Sequence, residues 1–310
     1  MSEKWTPGYD VPENVTQAIR GGNYFKITNE GKIIDGIFIG TKGEGPYHIG
    51  GAIIMDLRLT FNEVAAEYDQ LRPTYVPQLF TDLVDFSDLN QTSRVLEIGI
   101  GTGQATFPIL KTNCHLTAVE LGDQLAAYSG RKFEDYKNFE IKNMAFEDYE
   151  CPDNSLDMIY SASAFHWIPE NIGYPKVFRF LKCGGVFARF MNHPYKDKGN
   201  QALHVALQEL YSKYMPHSNE ATEYNEEKCK EIADTIEKYG FVDVNFKLYH
   251  RTRTFDAEGY VSLLNTYSDH RALREDQRML FFEEIKEAIN SFGGKINVYD
   301  TIDLYLARKP

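Results

Sequence analysis

The sequence predicts an α/β protein built on a doubly wound, mostly parallel sheet. Three observations predict it: strand-like and helical segments alternate between residues 77 and 190, a glycine-rich loop follows the first of these strands, and an acid, Glu120, ends the second. Sheets of this type bind ligands beyond the carboxyl ends of their strands. Functional residues are therefore expected in the loops that follow the strands.

The composition is that of a globular protein with about two structural units. The chain has 310 residues, 43% of them hydrophobic, and a formal net charge of −12. Such an acidic chain is unsuited to broad contact with nucleic acids or anionic membranes. The first residues are polar, and no apolar run approaches the roughly 18 residues of a membrane span. We therefore expect a cytoplasmic protein that acts on a small molecule or a protein.

The cysteines indicate neither disulfides nor a metal site. They are far apart, with no Cys-x-x-Cys pair and no histidine at zinc-ligand spacing. A cytosolic protein would keep them as reduced thiols. The four residues are Cys114, Cys151, Cys183 and Cys229.

The first 54 residues differ in composition from the rest and contain many glycines. Tyr24–Thr28 and Lys32–Ile39 could form a hairpin that turns at residues 29–31. The segment is interpreted as a lid or a dimerisation arm, and a disordered extension is the alternative. A helical pattern then begins at Phe61 and ends before Arg72-Pro73.

The elements of the predicted sheet follow from their apolar periodicity. Helices are predicted at Pro77–Phe86, 104–112, 123–132, 171–182, Gln201–Tyr214, Glu226–Tyr239 and within Ala257–Ser291. Strands are predicted at Arg94–Ile98, His115–Val119, Phe139–Met144, Leu156–Ser161, Gly185–Phe190, Val242–Thr254 and Ile296–Ala307.

The loop after the first of these strands reads Glu97-Ile-Gly99-Ile-Gly101-Thr-Gly103. Glycine permits sharp turns with positive φ and lets a ligand lie directly on the backbone. The spacing is wrong for a dinucleotide fingerprint, and no Lys-Ser/Thr pair follows to grip phosphate. A loop backed by Glu97 suits a cationic ligand, and Glu120 could accept both hydroxyls of a ribose.

These residues resemble the first motif and the following acidic position of class I S-adenosylmethionine-dependent methyltransferases. The resemblance covers about residues 55–310 and is closest to the type 11 and trans-aconitate-methyltransferase-like group. It implies a Rossmann-like, seven-stranded sheet whose last two strands are antiparallel. It also implies that S-adenosylmethionine is the cofactor and S-adenosylhomocysteine the product. The cofactor-binding candidates near the loop are Glu97, Gly99, Gly101, Gly103, Glu120 and Leu121.

Two further regions resemble the cofactor contacts of this family. The helix that begins at Phe61 is similar to one that closes over the cofactor, which makes Tyr68 and Arg72 candidates. After the third strand, Ala145 stands where the family commonly has an aspartate for the adenine amino group. The main chain around Ala145 and Phe146, together with the face of Phe146, is expected to hold adenine instead. One lost exposed hydrogen bond costs only about 0.5 to 1.5 kcal/mol.

The fourth strand ends in Ser161-Ala-Ser-Ala-Phe-His166-Trp167, which resembles the family's Ser-Ala-x-Ala-x-His-Trp signature. Ser161 is a candidate for the cofactor site, and Trp167 for a wall of the acceptor pocket. Imidazole changes charge near neutral pH, so His166 is the candidate general base. The alternatives are a contact with the pocket or cofactor and a purely structural role.

The region after residue 192 is expected to cover the pocket and choose the acceptor. Tyr267, His270 and Arg271 share one helical neighbourhood, and Arg251 and Arg253 alternate on a strand. Tyr267 and Arg271 are the substrate-binding candidates. Guanidinium groups grip carboxylates in a bidentate manner, so the arginines would serve an anionic acceptor. A solvated charged face is the alternative.

The predicted organisation is an extension at 1–54, a cofactor-binding core at 55–192, and a cap with two strands at 193–310. The resemblance implies in-line SN2 methyl transfer to an oxygen or nitrogen of a small-molecule acceptor. No metal is expected, and a homodimer is the candidate assembly. A non-catalytic S-adenosylmethionine-binding protein is one alternative. An NAD-dependent oxidoreductase on the same sheet is another, which the glycine spacing disfavours.

Overall fold

The computed structural model describes the short segments 24–27, 33–37, 47–49 and 52–54, residue 69, and residues 71–216 and 222–310. β1 (Tyr24–Ile27) pairs antiparallel with β2 (Ile33–Ile37), which confirms the predicted hairpin. β3 (Tyr47–Ile49) pairs with β4 (Ala52–Ile54) in the same manner. The helix predicted from Phe61 to Tyr68 lies outside the described residues.

Within the described residues, the central sheet has seven strands and confirms the predicted fold class. In chain order its strands are β5 (Arg94–Ile98), β6 (His115–Glu120), β7 (Phe139–Asn143), β8 (Leu156–Ala162), β9 (Leu181–Tyr195), β10 (Val242–Asp256) and β11 (Lys295–Arg308). Spatially, β10 and β11 form one edge, followed by β9, β8, β5, β6 and β7. The pairs from β9 to β7 are parallel, whereas β11 is antiparallel to both neighbours.

The described helices cover both faces of the sheet and the region beyond its carboxyl edge. No helix among the described residues is long and apolar enough to cross a membrane. The helices are α1 (Pro77–Ser87), α2 (Thr106–Leu110), α3 (Asp123–Lys132), α4 (Glu170–Phe180), α5 (Gln201–Tyr214), α6 (Glu226–Lys238), α7 (Ala257–Leu264), α8 (Ser268–Arg271) and α9 (Glu275–Ser291).

Local sequence explains where several helices begin. α1 begins at Pro77, where the missing N–H costs no intrahelical hydrogen bond. The side chain of Asn200 accepts from the Leu203 amide before α5, and Asp256 accepts from Gly259 before α7. The helical region predicted from 257 to 291 therefore begins at a capped residue, but it divides into three helices.

Apolar side chains form three buried clusters among the described residues. One packs α1 and α2 against one face of the sheet, and its members include Leu79, Leu83 and Ile109. The second packs α4 and α6 against the other face. The third lies beyond the sheet, where α5, α7 and α9 bury Leu207, Val261 and their neighbours to form the cap.

Two details of β9 differ from the sequence prediction. The preceding helix ends at Phe180, and the strand begins at Leu181, so Gly184 and Gly185 lie inside the strand rather than at a helix cap. Gly184 has φ of +75°, and the pairing with β8 changes register between Leu156 and Met158, as in a β-bulge. The strand also continues past Asn192 to Tyr195, because β11 pairs with it as far as Tyr299. The sheet therefore extends beyond the carboxyl end of β8 and carries the cap.

Candidate active site

A pocket of about 530 Å³ opens at the carboxyl edge of the sheet. It lies where the strand order reverses, because the chain adds β6 and β7 on one side of β5 and then returns to place β8 on the other. Loops after β5, β6, β7 and β8 form one part of its wall. The end of β9, the cap and the segment just before α1 form the rest.

The glycine loop lines this pocket through a backbone that other residues rarely adopt. Gly99 has φ of +71° and Gly101 has φ of +57°, and both belong to the wall. A Cβ atom on Gly99 would stand 2.4 Å from the Cβ of Ala164, in the loop after β8. Gly99 is therefore required for the two motif loops to meet.

Gly103 has a different role from the two glycines before it. Its φ is +83°, and an added Cβ would stand 2.3 Å from the ring of Phe133. It does not belong to the pocket wall. The structure therefore explains Gly103 by packing against the end of α3 rather than by contact with a ligand.

Glu120 lies in the wall with its carboxylate held by two backbone amides. The amide of Gly101 donates to Oε2 at 2.9 Å, and that of Gly122 donates to Oε1 at 2.9 Å. Leu121 lies beside it in the wall. Since each oxygen can accept more than one hydrogen bond, the carboxylate remains able to accept from ligand hydroxyls.

Glu97 lies beneath the loop and outside the pocket wall, with 1% of its surface exposed. The Thr106 hydroxyl donates to Oε2 at 2.7 Å. Among the described residues, Oε1 makes no hydrogen bond of ordinary length, and neither does the nearby Tyr160 hydroxyl. Burial raises the pKa of Glu97 to about 8. The group is therefore mostly protonated at neutral pH, which weakens the expectation that it supplies a negative charge.

The turn after β7 forms the next part of the wall, with Met144, Ala145, Phe146 and Glu147. Ala145 has an extended backbone and precedes a short 3₁₀ turn. The Phe146 ring packs into the apolar cluster that supports α4 and is 3% exposed, with the Lys176 ammonium 5.6 Å from its centre. Little of the ring face predicted to hold adenine is therefore available to a ligand.

Ser163 lines the pocket, whereas Ser161, the serine predicted from the sequence, does not. Ser161 is buried outside the wall, and its hydroxyl donates to the carbonyl of Ile98 at 2.9 Å. Ser163 lies in the wall with φ of +55° and shares a 2.8 Å hydrogen bond with the Tyr75 hydroxyl. Neither Ser163 nor Tyr75 was predicted from the sequence. Strand alternation alone would place these two serines on the same face, but β8 ends at Ala162 and the positive φ of Ser163 turns its side chain into the pocket wall.

His166 and Trp167 both lie in the wall, with ring centres 4.9 Å apart. The side chain of His166 is exposed and lines the pocket. Desolvation, followed by the positive charge of Arg189, lowers the pKa of His166 to about 4. The imidazole is therefore neutral at pH 7, as a general base must be, although such a low pKa makes it a weak base.

The wall also contains residues from β9 and the cap: Met191, Asn192, Pro194, Tyr267 and Asp269. Arg72 joins them, since its Nη2 donates to the carbonyl of Thr266 at 2.7 Å and its guanidinium lies 4.4 Å from the centre of the Tyr267 ring. Arg271 does not belong to the wall, and His270 is 3% exposed within the cap.

Arg251 and Arg253 do not line the pocket, which corrects the expectation that they grip an anionic acceptor. Both bind the carboxylate of Asp300 on β11, whose side chain is fully buried. Arg253 is bidentate, with bonds of 2.5 and 2.9 Å, and Arg251 also donates to the carbonyl of Thr74 at 2.6 Å. These guanidinium groups therefore stabilise the edge of the sheet.

The wall suits S-adenosylmethionine better than a pyrophosphate-bearing coenzyme. Gly99 and Gly101 provide a surface without side chains, and Glu120 is oriented to accept hydroxyls. Arg72 is the one Lys or Arg side chain among the described wall residues, and its Nη2 donates to the Thr266 carbonyl of the cap. Among the described residues, no three His, Cys, Asp or Glu side chains lie close enough together to bind a metal ion.

Comparisons with known proteins agree with this site. Residues 95–185 match a family model described as a methyltransferase domain. An uncharacterized methyltransferase of Schizosaccharomyces pombe is 24% identical over 258 residues, which cover 79% of this chain and 92% of that protein.

Two solved structures share the fold. A candidate type II methyltransferase from Anaeromyxobacter dehalogenans has a TM-score of 0.54 at 18% identity and covers 77% of this chain and 98% of its own. Phosphoethanolamine N-methyltransferase 2 of Haemonchus contortus, in complex with S-adenosyl-L-methionine, has a TM-score of 0.50 at 15% identity. The match covers 83% of this chain and 60% of that protein. The family match and the Schizosaccharomyces pombe relative support a class I S-adenosylmethionine-dependent methyltransferase.

Proposed function

We propose that this enzyme methylates an oxygen or nitrogen of a small-molecule acceptor by in-line SN2 displacement. The observation that carries the proposal is one pocket that is lined both by the glycine loop and by aromatic and polar residues of the cap. A volume of about 530 Å³ suits the cofactor together with a compact acceptor. S-adenosylmethionine supplies a methyl group on a sulfonium, and holding the acceptor in line with it provides most of the catalysis.

The residues in the wall support a division of roles. Glu120 is proposed to hold the ribose hydroxyls, and the backbone of Gly99 and Gly101 to contact the methionine part. The backbone around Ala145 is proposed to contact adenine. Arg72 is proposed to face the methionine carboxylate, because guanidinium and carboxylate are complementary. Tyr68 is proposed to contact the cofactor on the basis of the sequence pattern alone.

The acceptor is proposed to lie between the motif loop after β8 and the cap. Trp167 and Tyr267 offer aromatic surfaces there, and Asn192 and the Tyr75–Ser163 pair offer hydrogen-bonding groups. His166 is proposed to contact the acceptor and to take its proton where the acceptor has one to lose. This assignment rests on its place in the wall and its neutral state at pH 7.

Calorimetry and a methyl-transfer screen test the proposal. Titration with S-adenosylmethionine, S-adenosylhomocysteine and NAD should give heat with the first two ligands and none with the third. A radiolabelled methyl donor should then label at least one compound in a panel of small phenols, acids and amines. Cofactor binding without labelling of any compound would support a non-catalytic binding protein. Heat with NAD alone would support an oxidoreductase.

Cytoplasmic location and a homodimer remain proposals from the sequence. The formal net charge of −12 supports the proposal that nucleic acids and anionic membranes are not partners. Sedimentation of the full chain tests the dimer, and fluorescence anisotropy with labelled duplex DNA at low salt tests nucleic-acid binding.

A further inference from the structure

The charged groups of the pocket are mostly carboxylates. The described wall residues include one Lys or Arg side chain, Arg72, and three acids, Glu120, Glu147 and Asp269. Glu120 is the last residue of β6 and Glu147 lies in the turn after β7, beside the loops proposed for ribose and adenine. Asp269 belongs to α8 and lies on the cap side, where the acceptor is proposed to bind.

Asp269 is fixed in place by the next residue. The backbone amide of His270 donates to Oδ1 at 2.8 Å, and its Nδ1 lies 2.7 Å from the same oxygen. The other ring nitrogen bonds the Tyr211 hydroxyl at 2.9 Å, and the ring stacks on Phe281. These contacts hold the imidazole at both ends, so Asp269 has a rigid support. Its Oδ2 makes no hydrogen bond to any described residue, and its side chain is 52% exposed.

The carboxylate of Asp269 is ionised at neutral pH. Burial raises its pKa, but the charge of His270 and the hydrogen bonds from His270 outweigh that effect, so the pKa lies below its ordinary value. An anion that enters the cap side of the pocket would therefore meet like charge. A cation or an N–H donor would meet an acceptor that is already oriented.

The neighbouring guanidinium groups do not reverse this polarity. Arg251 and Arg253 share the buried Asp300, and Arg271 lies outside the wall. Arg72 donates to the Thr266 carbonyl and lies over Tyr267, and it is the proposed partner of the methionine carboxylate. Aromatic rings of Tyr75, Trp167 and Tyr267 also line the pocket, and the faces of such rings attract cations.

We infer that the acceptor is an amine, which Asp269 binds through an N–H group while the nitrogen lone pair faces the methyl donor. This inference rests on the proposed function. The bound ammonium first loses one proton, which His166 takes and passes to solvent, and this leaves a lone pair on nitrogen. The lone pair then forms the new N–C bond, and the electrons of the broken C–S bond remain on sulfur. Asp269 is a recognition residue in this scheme, and the acceptor approaches it by charge attraction.

Matched probes test the charge preference without requiring turnover. Phenethylamine, 2-phenylethanol and 3-phenylpropionate are similar in shape and differ in charge, and n-butylamine, n-butanol and butyrate form a second set. Each probe is titrated into the full chain that has been saturated with S-adenosylhomocysteine. We expect an amine to bind at least about tenfold more tightly than the alcohol and acid of its set.

Asp269→Asn should remove that preference and weaken amine binding at least about tenfold, with S-adenosylhomocysteine affinity unchanged. Asp276→Asn is the matched control, because Asp276 is exposed and pairs with Arg274 outside the pocket. The inference is overturned if the acids or alcohols bind as tightly as the amines, if no amine binds, or if Asp269→Asn binds amines as the wild type does. Failure of S-adenosylhomocysteine itself to bind would instead overturn the proposed function.

Discussion

The α-carbon of Gly99 lies so close to Ala164 that no side chain fits between them, since a methyl group added to Gly99 would stand 2.4 Å from the Ala164 Cβ. The contact joins the glycine loop after β5 to the signature loop after β8. These are the two loops through which methyl donor and acceptor are proposed to meet. Their spacing therefore depends on a single missing side chain.

Gly99→Ala should destabilise the protein and weaken cofactor binding. The substitution adds the cost of positive φ and an overpacking cost of about 1 to 3 kcal/mol. Gly294→Ala is the control, since Gly294 has φ of +72° with nothing within 4 Å of an added Cβ. Urea unfolding should show the overpacking cost for Gly99→Ala only. Equal losses in the two variants would mean that the loops can move apart.

Glu120→Gln should lower affinity for S-adenosylhomocysteine by about 10- to 100-fold, the usual range for losing a hydrogen bond to a charged group. The glutamine NH₂ would face the amide N–H of Gly101 or Gly122, so one supporting bond is lost as well. Calorimetry measures the change. Glu134→Gln alters the net charge equally at an exposed position and should bind normally. Unchanged affinity in Glu120→Gln would remove this acid from the site.

His166→Asn should slow turnover at neutral pH and leave S-adenosylhomocysteine affinity within about twofold, because the imidazole is proposed to act on the acceptor. With a pKa of about 4, His166 should produce no acidic limb near pH 6.5 in kcat/KM. His115→Asn, at an exposed position, is the control. Equal losses of turnover and cofactor affinity would make His166 a binding residue instead.

The lowered pKa of His166 makes the stability of the protein depend on pH. The folded pKa is below the ordinary value of 6.5, so the unfolded state takes up its proton first as pH falls. The stabilising contribution is therefore complete above pH 6.5 and is lost as pH falls towards about 4. Comparing denaturant midpoints of the wild type and His166→Asn across that range measures it, and parallel curves would contradict it.

Glu97 should have the opposite pH dependence. Its folded pKa of about 8 exceeds the ordinary 4.5, so its contribution to stability is complete below pH 4.5 and is lost as pH rises through about 8. Between about pH 5 and pH 8, wild type should lose at least about 1.4 kcal/mol more stability than Glu97→Gln, the value of one pKa unit. Glu134→Gln should follow wild type. Identical slopes in wild type and Glu97→Gln would show that Glu97 is ionised in the folded protein.

The sequence predicted those features that depend on local pattern. Val95, Leu96 and Ile98 form a buried strand because apolar runs of this length suit a sheet that is covered on both faces. The glycine loop and Glu120 were predictable because turn geometry and strand ends have local signatures. Gly184 was assigned wrongly as a cap, since a bulge inside a strand has the same local signature as a helix end.

The residues that the sequence did not predict depend on partners that are distant along the chain. Ser163 meets Tyr75 across 88 positions, and Arg251 meets Asp300 across 49. The register between β10 and β11 places Arg251 opposite Asp300, and no local pattern fixes that register. Arg251 and Arg253 therefore pair with Asp300 instead of lining the pocket, and the charged cap residue in the wall is Asp269.

The continuation of β9, β10 and β11 beyond the carboxyl edge has a consequence for product release. Three hydrogen-bonded strands run from the core into the cap without a break, and α7 follows β10 directly. A ribbon of this kind resists hinge bending, so the cap does not swing as a separate lobe. Product release must then occur without movement of the whole cap, and Tyr267 and Asp269 keep their places in the pocket wall.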